Sequence, residues 1–408
     1  MICNFLYIDP GTGSMLFSLF IGIATAAVFG LRTLIVKLKF LFSRGKTDEA
    51  SQKDVIPYVI FSDHKRYWNV FGPVCDEFEK RPIPLTYYTA SQDDPVFSKD
   101  YKYVKAEYLG SGNKPFAKLN FLKADKVIAT TPGLDVYQWK RSKDVNKYIH
   151  IPHSAGDLAS YRMFGLDHYD AVLTTGENQI NFIRKIESLR PSIAKKELVA
   201  VGCTYLDENQ KRLALLPARE SHTQPVVLIA PSWGKSAILS KFGDKLLDEL
   251  SKTDFKIIVR PHPQSLTSEK ELLDSLTKKF EGKNISWNFD NDNFDVLNES
   301  DIMITDFSDI ILDYTFIFNK PVIYADTNFD TMPYDADWLD EPMWSLKILP
   351  QIGVKLEEKD FPSIASVIKD TINNKGLEEN RNKVKEEAWC SRGSAVKNIV
   401  DYLTTKKD

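Results

Sequence analysis

From residue 56 onward, short apolar runs bounded by Gly, Pro, Ser and Thr alternate with stretches at helical spacing. That alternation predicts parallel βαβ units, because each strand must cross over through a helix to pair with the next. In the first half the strand candidates are 56–62, 84–90, 102–110, 126–133, 148–153, 171–176 and 197–202, with helices over 66–80 and 177–189. The segment "LPARESHTQP" (216–225) interrupts the pattern, which restarts with strands at 226–234, 256–263, 285–289, 301–308 and 321–325. These later runs are β-branched and nearly continuous, as expected for a sheet buried on both faces. The tail after 360 reads as helices. The expectation is α/β: two doubly wound Rossmann-type domains (55–216 and 225–380) facing a cleft, then a C-terminal helix (381–408). In such sheets ligands bind at the carboxyl ends of the strands.

The chain has 408 residues, 43% hydrophobic, enough for two separate cores. A net charge of −3 argues against nucleic-acid binding by bulk charge. Cys3, Cys75, Cys203 and Cys390 lie far apart with no CxxC pair, and read as reduced, mostly buried thiols rather than disulfides or metal ligands. Residues 10–31 carry no charge and Arg32, Lys37, Lys39, Arg44 and Lys46 follow. As a helix that run spans roughly 33 Å, about a bilayer core. Basic residues on its C-terminal side place the remaining chain in the cytosol. A cleaved signal peptide lacks its positive n-region here, and an interfacial hairpin is a further alternative. The reading is therefore a membrane anchor over 1–44, spanning or peripheral, and a solvated linker over 45–54.

Polar residues gather at three strand ends of the second half: Pro231-Ser232-Trp233-Gly234, Arg260-Pro261-His262-Pro263 and Asp306-Phe307-Ser308-Asp309. Ser and Asp at a strand-to-helix junction cap a helix without any ligand. The same junction also offers unpaired N–H groups and a positive dipole end to an anion. Three such ends on one sheet edge favour the anion. Two prolines hold His262 extended, and Arg260 has the fork geometry for phosphate. In the first half His153 ends a strand in "IPHSAGD", and an imidazole there suits a general base. His168, before the strand at 171, reads as a helix-terminal residue. Lys65 and Arg66, in "SDHKRYW", are candidates for holding an anionic acceptor. "DNDN" (290–293) lacks the Gly and distal Glu of a calcium loop, and neither GxGxxG nor a Walker loop follows a strand. No metal ligand set or cofactor motif is apparent.

These residues resemble the CDP-glycerol glycerophosphotransferase family, which includes the polymerases and primases of wall teichoic acid. The features are Ala230 to Trp233, Arg260 to Pro263, Ser300 to Ser308 with Asp313, and Lys320 to Tyr324. The resemblance implies a two-domain GT-B fold and a His262 contact to the donor pyrophosphate. It implies phosphate binding by Ser308 and its helix start, Asp313 near the nucleotide, and His153 as general base. Ser232, Trp233, Arg260 and Asp306 complete the expected donor side. Three positions depart from the family pattern: Gly234 stands for an Arg, Asp309 for a second Ser, and His153-Ser-Ala-Gly156 for His-Gly. A carboxylate at 309 would repel a pyrophosphate, so it is expected to point elsewhere or meet a hydroxyl. The implied reaction moves glycerophosphate from CDP-glycerol, or a related CDP-alcohol, to a hydroxyl of a lipid-linked polymer at the cytosolic membrane face. Two rivals share the pattern: a GT-B glycosyltransferase using a nucleotide sugar, and a non-catalytic membrane-bound assembly partner.

Overall fold

A computed structural model describes residues 55–217, 223–290, 292–325 and 327–405. The expected membrane helix and linker, residues 1–54, lie outside them. Among the described residues no helix is long and apolar enough to cross a membrane.

The first sheet contains β1 (Ile56–Ser62), β2 (Leu85–Thr89), β3 (Val104–Tyr108), β4 (Ala124–Ala129), β5 (Val145–His150), β6 (Ala171–Thr174) and β7 (Glu197–Ala200). Its order is β3-β2-β1-β4-β5-β6-β7, and every pairing is parallel. The second sheet contains β8 (Val226–Ile229), β9 (Lys256–Val259), β10 (Ile285–Trp287), β11 (Ile302–Thr305), β12 (Val322–Ala325) and β13 (Val354–Leu356), ordered β10-β9-β8-β11-β12-β13 and again all parallel. In each sheet the chain runs outward from the first strand, then returns to its other side. The order reverses between β1 and β4, and between β8 and β11. Such a reversal leaves a crevice at the carboxyl edge, because the flanking loops diverge to opposite faces.

The apolar runs bury both faces, and alternate residues part company across the sheet. On β1, Val59 and Phe61 enter one core while Ile60 enters the other. On β8, Val226 and Leu228 face one core and Val227 and Ile229 the other. From Val59 to Ser62, and over the whole of β8, these first strands leave no solvent-facing side.

Two segments tie the lobes together. The C-terminal helix Ala395–Thr404 returns to the first lobe, where Ile399, Val400 and Leu403 share a core with Val70, Phe71 and Val74. Asp207 anchors that return, accepting hydrogen bonds from Trp389 Nε1 (3.0 Å) and from the amides of Gly393 (2.8 Å) and Ala395 (3.0 Å). The second tie is the segment after β12, residues 327–343. It leaves the second lobe and lays Tyr334, Ala336, Leu339 and Met343 on the first lobe's core. Backbone bonds seat it, from Asp335 N to Tyr161 O (2.8 Å) and from Met163 N to Pro333 O (3.2 Å).

Candidate active site at the carboxyl edges of the two sheets

The carboxyl ends of β8, β9 and β11 are neighbours in the second sheet, and their loops form one wall of a cleft of about 580 Å³. Ser232, Trp233, Arg260, His262, Ser308 and Asp313 all line it. The opposite wall carries Arg66 and Tyr67, which follow β1, and His153 and Ser154, which follow β5. The residues expected on the donor and acceptor sides therefore meet across one opening, with three exceptions in how they are used.

The first exception is Asp306, which is fully buried. Its Oδ1 accepts from Ser232 N (2.9 Å) and Ser308 N (3.2 Å), and its Oδ2 from Ile238 N (2.9 Å). Its expected contact with phosphate is corrected: the carboxylate is consumed in pinning the ends of β8 and β11 to the helix Ile238–Leu250. Asp306→Ala strands three enclosed N–H groups and is expected to cost about 3 kcal/mol. Urea unfolding of the variant measures this; a midpoint equal to wild type would refute the bracing role.

The second exception is Lys65. Its ammonium is paired with Asp93 on the surface and it does not line the cleft, so the expected acceptor contact is corrected to Arg66 alone. Among the described residues Arg66 makes no direct ion pair; it sits over the Tyr67 ring at 5.3 Å, and its charge acts on Asp63 as well as on His153 and His262. The third is Arg260. It lines the cleft, but its guanidinium is bonded to Asn288 Oδ1 and to Asp290 O (2.8 Å), bracing the loop after β10.

The histidines differ in how they are held. His262 Nδ1 accepts from Gln264 N at 3.1 Å. The neutral ring therefore carries its proton on Nε2 and is a hydrogen-bond donor. Trp233 lies tilted against it, centroids 6.4 Å apart. Burial, followed by the Arg66 charge, lowers the His262 pKa to about 4. His153 stacks on Tyr161 (6.5 Å, 10° between planes) and leans on Tyr67 (5.3 Å). Its Nδ1 is enclosed without a partner, which leaves Nε2 as the nitrogen open to the cleft. Burial, then Arg66, brings its pKa to about 4. Both rings are thus neutral at physiological pH: one can give a proton-bearing N–H to an anion and the other can accept a proton.

At the helix Ile310–Phe318 the amides of Asp309 and Ile310 carry no hydrogen bond to the described residues, while Ser308 N is held by Asp306. Those two amides, the Ser308 hydroxyl and the helix dipole converge as an anion site. One turn along, Asp313 shares Tyr205: its hydroxyl lies 3.1 Å from both Asp313 Oδ2 and Asn293 Oδ1. Burial raises the Asp313 pKa to about 7, with Asp309 adding to the rise. Tyr205 lies in the first turn of the helix Thr204–Leu215, which the pattern of apolar runs did not mark. A tyrosine just past a strand carries no local mark of reaching a carboxylate 108 residues away. Among the described residues no group of three His, Cys, Asp or Glu side chains could hold a metal ion.

Residues 205–389 match the family described as CDP-Glycerol:Poly(glycerophosphate) glycerophosphotransferase. The resemblance to that family holds over the second lobe. The match begins at Tyr205 and spans every strand-end motif from Ser232 to Asp313. It indicates a transferase. No curated protein matches the chain. Among solved structures, S. aureus MnaA with UDP is similar at TM-score 0.56 and 16% identity, covering 87% of this chain and 99% of that one. A Listeria monocytogenes protein described as a candidate UDP-N-acetylglucosamine 2-epimerase gives 0.53 and 13%, covering 86% and 96%. The glycotransferase of kitacinnamycin gives 0.50 and 10%, covering 86% and 99%. At such identities the likeness is one of fold: two parallel-sheet Rossmann-like lobes arranged as in GT-B glycosyltransferases.

Proposed function

We propose that the protein transfers a glycerophosphate unit from CDP-glycerol to a hydroxyl of a lipid-linked polymer, releasing CMP. The observation that carries this is the single wall formed by the ends of β8, β9 and β11, facing His153 and Arg66 across the cleft. The donor pyrophosphate lies over the free amides at the start of the helix Ile310–Phe318, within reach of the Ser308 hydroxyl and the His262 Nε2–H. Arg66 approaches it from the acceptor side as a cation with no direct ion pair among the described residues. The acceptor oxygen attacks the β-phosphorus in line. As the new P–O bond forms, the bond from that phosphorus to the bridging oxygen breaks and CMP leaves with the electron pair. The acceptor proton passes to His153. Charge growing on the departing phosphate is met by donors already in position, which is the largest single contribution such a site makes to rate. The uncharged run 10–31 with its trailing basic residues supports attachment at the cytosolic membrane face, where a lipid-linked acceptor is reached in two dimensions.

The test is purified protein with CDP-glycerol and a lipid-linked acceptor, following CMP release and acceptor extension. Acceptor-dependent CMP is the expected result. UDP released from a nucleotide sugar under the same conditions, with CDP-glycerol inert, would replace this reading with the glycosyltransferase one.

A further inference from the structure

The two departures from the family pattern that flank the reacting groups touch each other. Asp309 Oδ2 accepts from the Ser154 hydroxyl at 3.3 Å. The carboxyl group also lies flat on Gly156: a Cβ built there would stand 2.2 Å from Oδ2, 2.6 Å from Cγ and 2.8 Å from Oδ1. Any side chain at 156 would expel it. Asp309 therefore fits between the lobes only because the loop after His153 supplies a small hydroxyl and a bare Cα. It stands at the N-cap of the helix Ile310–Phe318 yet makes no capping bond to it. A carboxylate at that position normally takes the amides of the second or third helical residue. Here those amides, Ile311 N and Leu312 N, bond to Ser308 O (3.1 Å) and Asp309 O (2.9 Å), and the Asp309 side chain lines the cleft instead.

Among the described residues no cation pairs with Asp309, and one long bond from Ser154 leaves most of its hydrogen-bonding capacity unused. The titratable groups that act on it or feel it are Asp157 and Tyr161 from the first-lobe loop and Asp313 from its own helix. All are acids. Enclosure, then Asp157, pushes its pKa up to about 7, against a small opposing effect of Ser154. A pyrophosphate bound at the open amides would bring further negative charge to the same few ångströms and favour the neutral form more strongly.

We propose that Asp309 binds the donor pyrophosphate as a neutral carboxylic acid, donating through its O–H where the family pattern has a serine hydroxyl. A carboxylic acid kept neutral by an enclosed site is a competent donor to an oxyanion. The inference rests on the helix start being the pyrophosphate site. Its consequence is that each donor bound takes one proton from solvent whenever the free enzyme holds Asp309 ionised. The sign follows: below about pH 7 the proton is already present and affinity is flat. Above it, affinity falls by up to about tenfold per pH unit, one proton being linked to one ligand. His153 and His262, with pKa values of about 4, stay neutral throughout that range.

The experiment is calorimetric titration of the full chain with CDP-glycerol. Its diester pyrophosphate has no proton to lose near pH 6, unlike a phosphate monoester. Two buffers of different ionisation enthalpy at about pH 8 report proton uptake, expected to approach one per donor. D313N removes the other cleft carboxyl with a pKa raised to about 7, leaves Asp309 in place and should keep the uptake and the slope. In that background D309N and D309S keep a donor group and should bind with no uptake and a flat pH profile. Uptake that persists in the D309N/D313N protein, or is absent from D313N, overturns the proposal. If CDP-glycerol fails to bind while UDP-sugars bind with the same Asp309-dependent uptake, the donor assignment falls and the role of Asp309 stands. Failure of every nucleoside diphosphate ester to bind overturns both.

Discussion

Replacing His153 by alanine is expected to lower the transfer rate by about 10² to 10⁴, the usual contribution of a positioned general base. The fold should survive. The ring makes only stacking contacts with Tyr67 and Tyr161, and its enclosed nitrogen has no hydrogen bond to lose. Donor affinity should hardly move, because His153 stands on the wall opposite the strand ends of the second lobe. A fall in kcat with donor KM near wild type therefore distinguishes a base from a binding residue. His262→Ala should behave differently, since a hydrogen bond to the leaving phosphate is strengthened as charge develops there. It is expected to cost about 10²-fold or more in kcat. With a pKa of about 4, His153 is unprotonated and ready at neutral pH, but it is a weak base until an anionic donor arrives. Bound pyrophosphate opposes the Arg66 charge that helps depress it, so the basicity needed for turnover is supplied by the substrate. Single-turnover rates within about threefold of wild type in H153A would remove the residue from the mechanism.

The alternation of apolar runs was enough to place twelve of the thirteen strands: interior strands such as β6, β8 and β11 are buried on both faces and apolar, and the more exposed edge strands β3 and β7 kept their place in the alternating order. The missed strand, β13, has three residues at a sheet edge and only Leu356 is fully enclosed, so little in its composition demands burial. The gathering of His262, Ser308 and Trp233 followed from the same logic: in a parallel sheet all strand ends share an edge. Side-chain direction did not follow. Asp306 and Ser308 are two residues apart in one motif, yet the first turns inward to three backbone amides and the second lines the cleft. Only the loops' path decides that. The pairing of Asp309 with Ser154 and Gly156 was likewise out of reach, since it joins positions about 155 residues apart in different lobes. The noted repulsion did anticipate that a carboxylate at 309 would meet a hydroxyl.

Arg190→Ala is expected to destabilise the protein by about 3–5 kcal/mol, the cost of breaking an enclosed ion pair from one side. Arg190 is 6% exposed, and its two terminal nitrogens each lie 3.0 Å from a carboxylate, Asp167 and Asp335. The rings of Phe164 and Trp338 flank the guanidinium at 5.2 and 5.4 Å. Removing it leaves two acids without their directly bonded cation, Lys196 acting on them only through its charge, and a cavity beside both rings. The loss should depend on pH in a definite direction. Burial already raises the Asp335 pKa, and Arg190 opposes the rise, so the variant's Asp335 rises further. A carboxyl whose folded pKa exceeds its unfolded value of about 3.9 favours folding below that value and loses this contribution as pH climbs to the folded pKa. The deficit of R190A should therefore be smallest near pH 4 and grow toward neutrality. A pH-independent deficit would point to lost packing alone. Asp335 belongs to the segment after β12, which carries Phe329 and Tyr334 into the cleft wall from a seat on the first lobe. Loosening that seat alters the wall shared by donor and acceptor, so R190A should also raise KM in stable preparations at low temperature. Arg190 itself stays outside the cleft, and its effect on turnover is exerted through the placement of that segment.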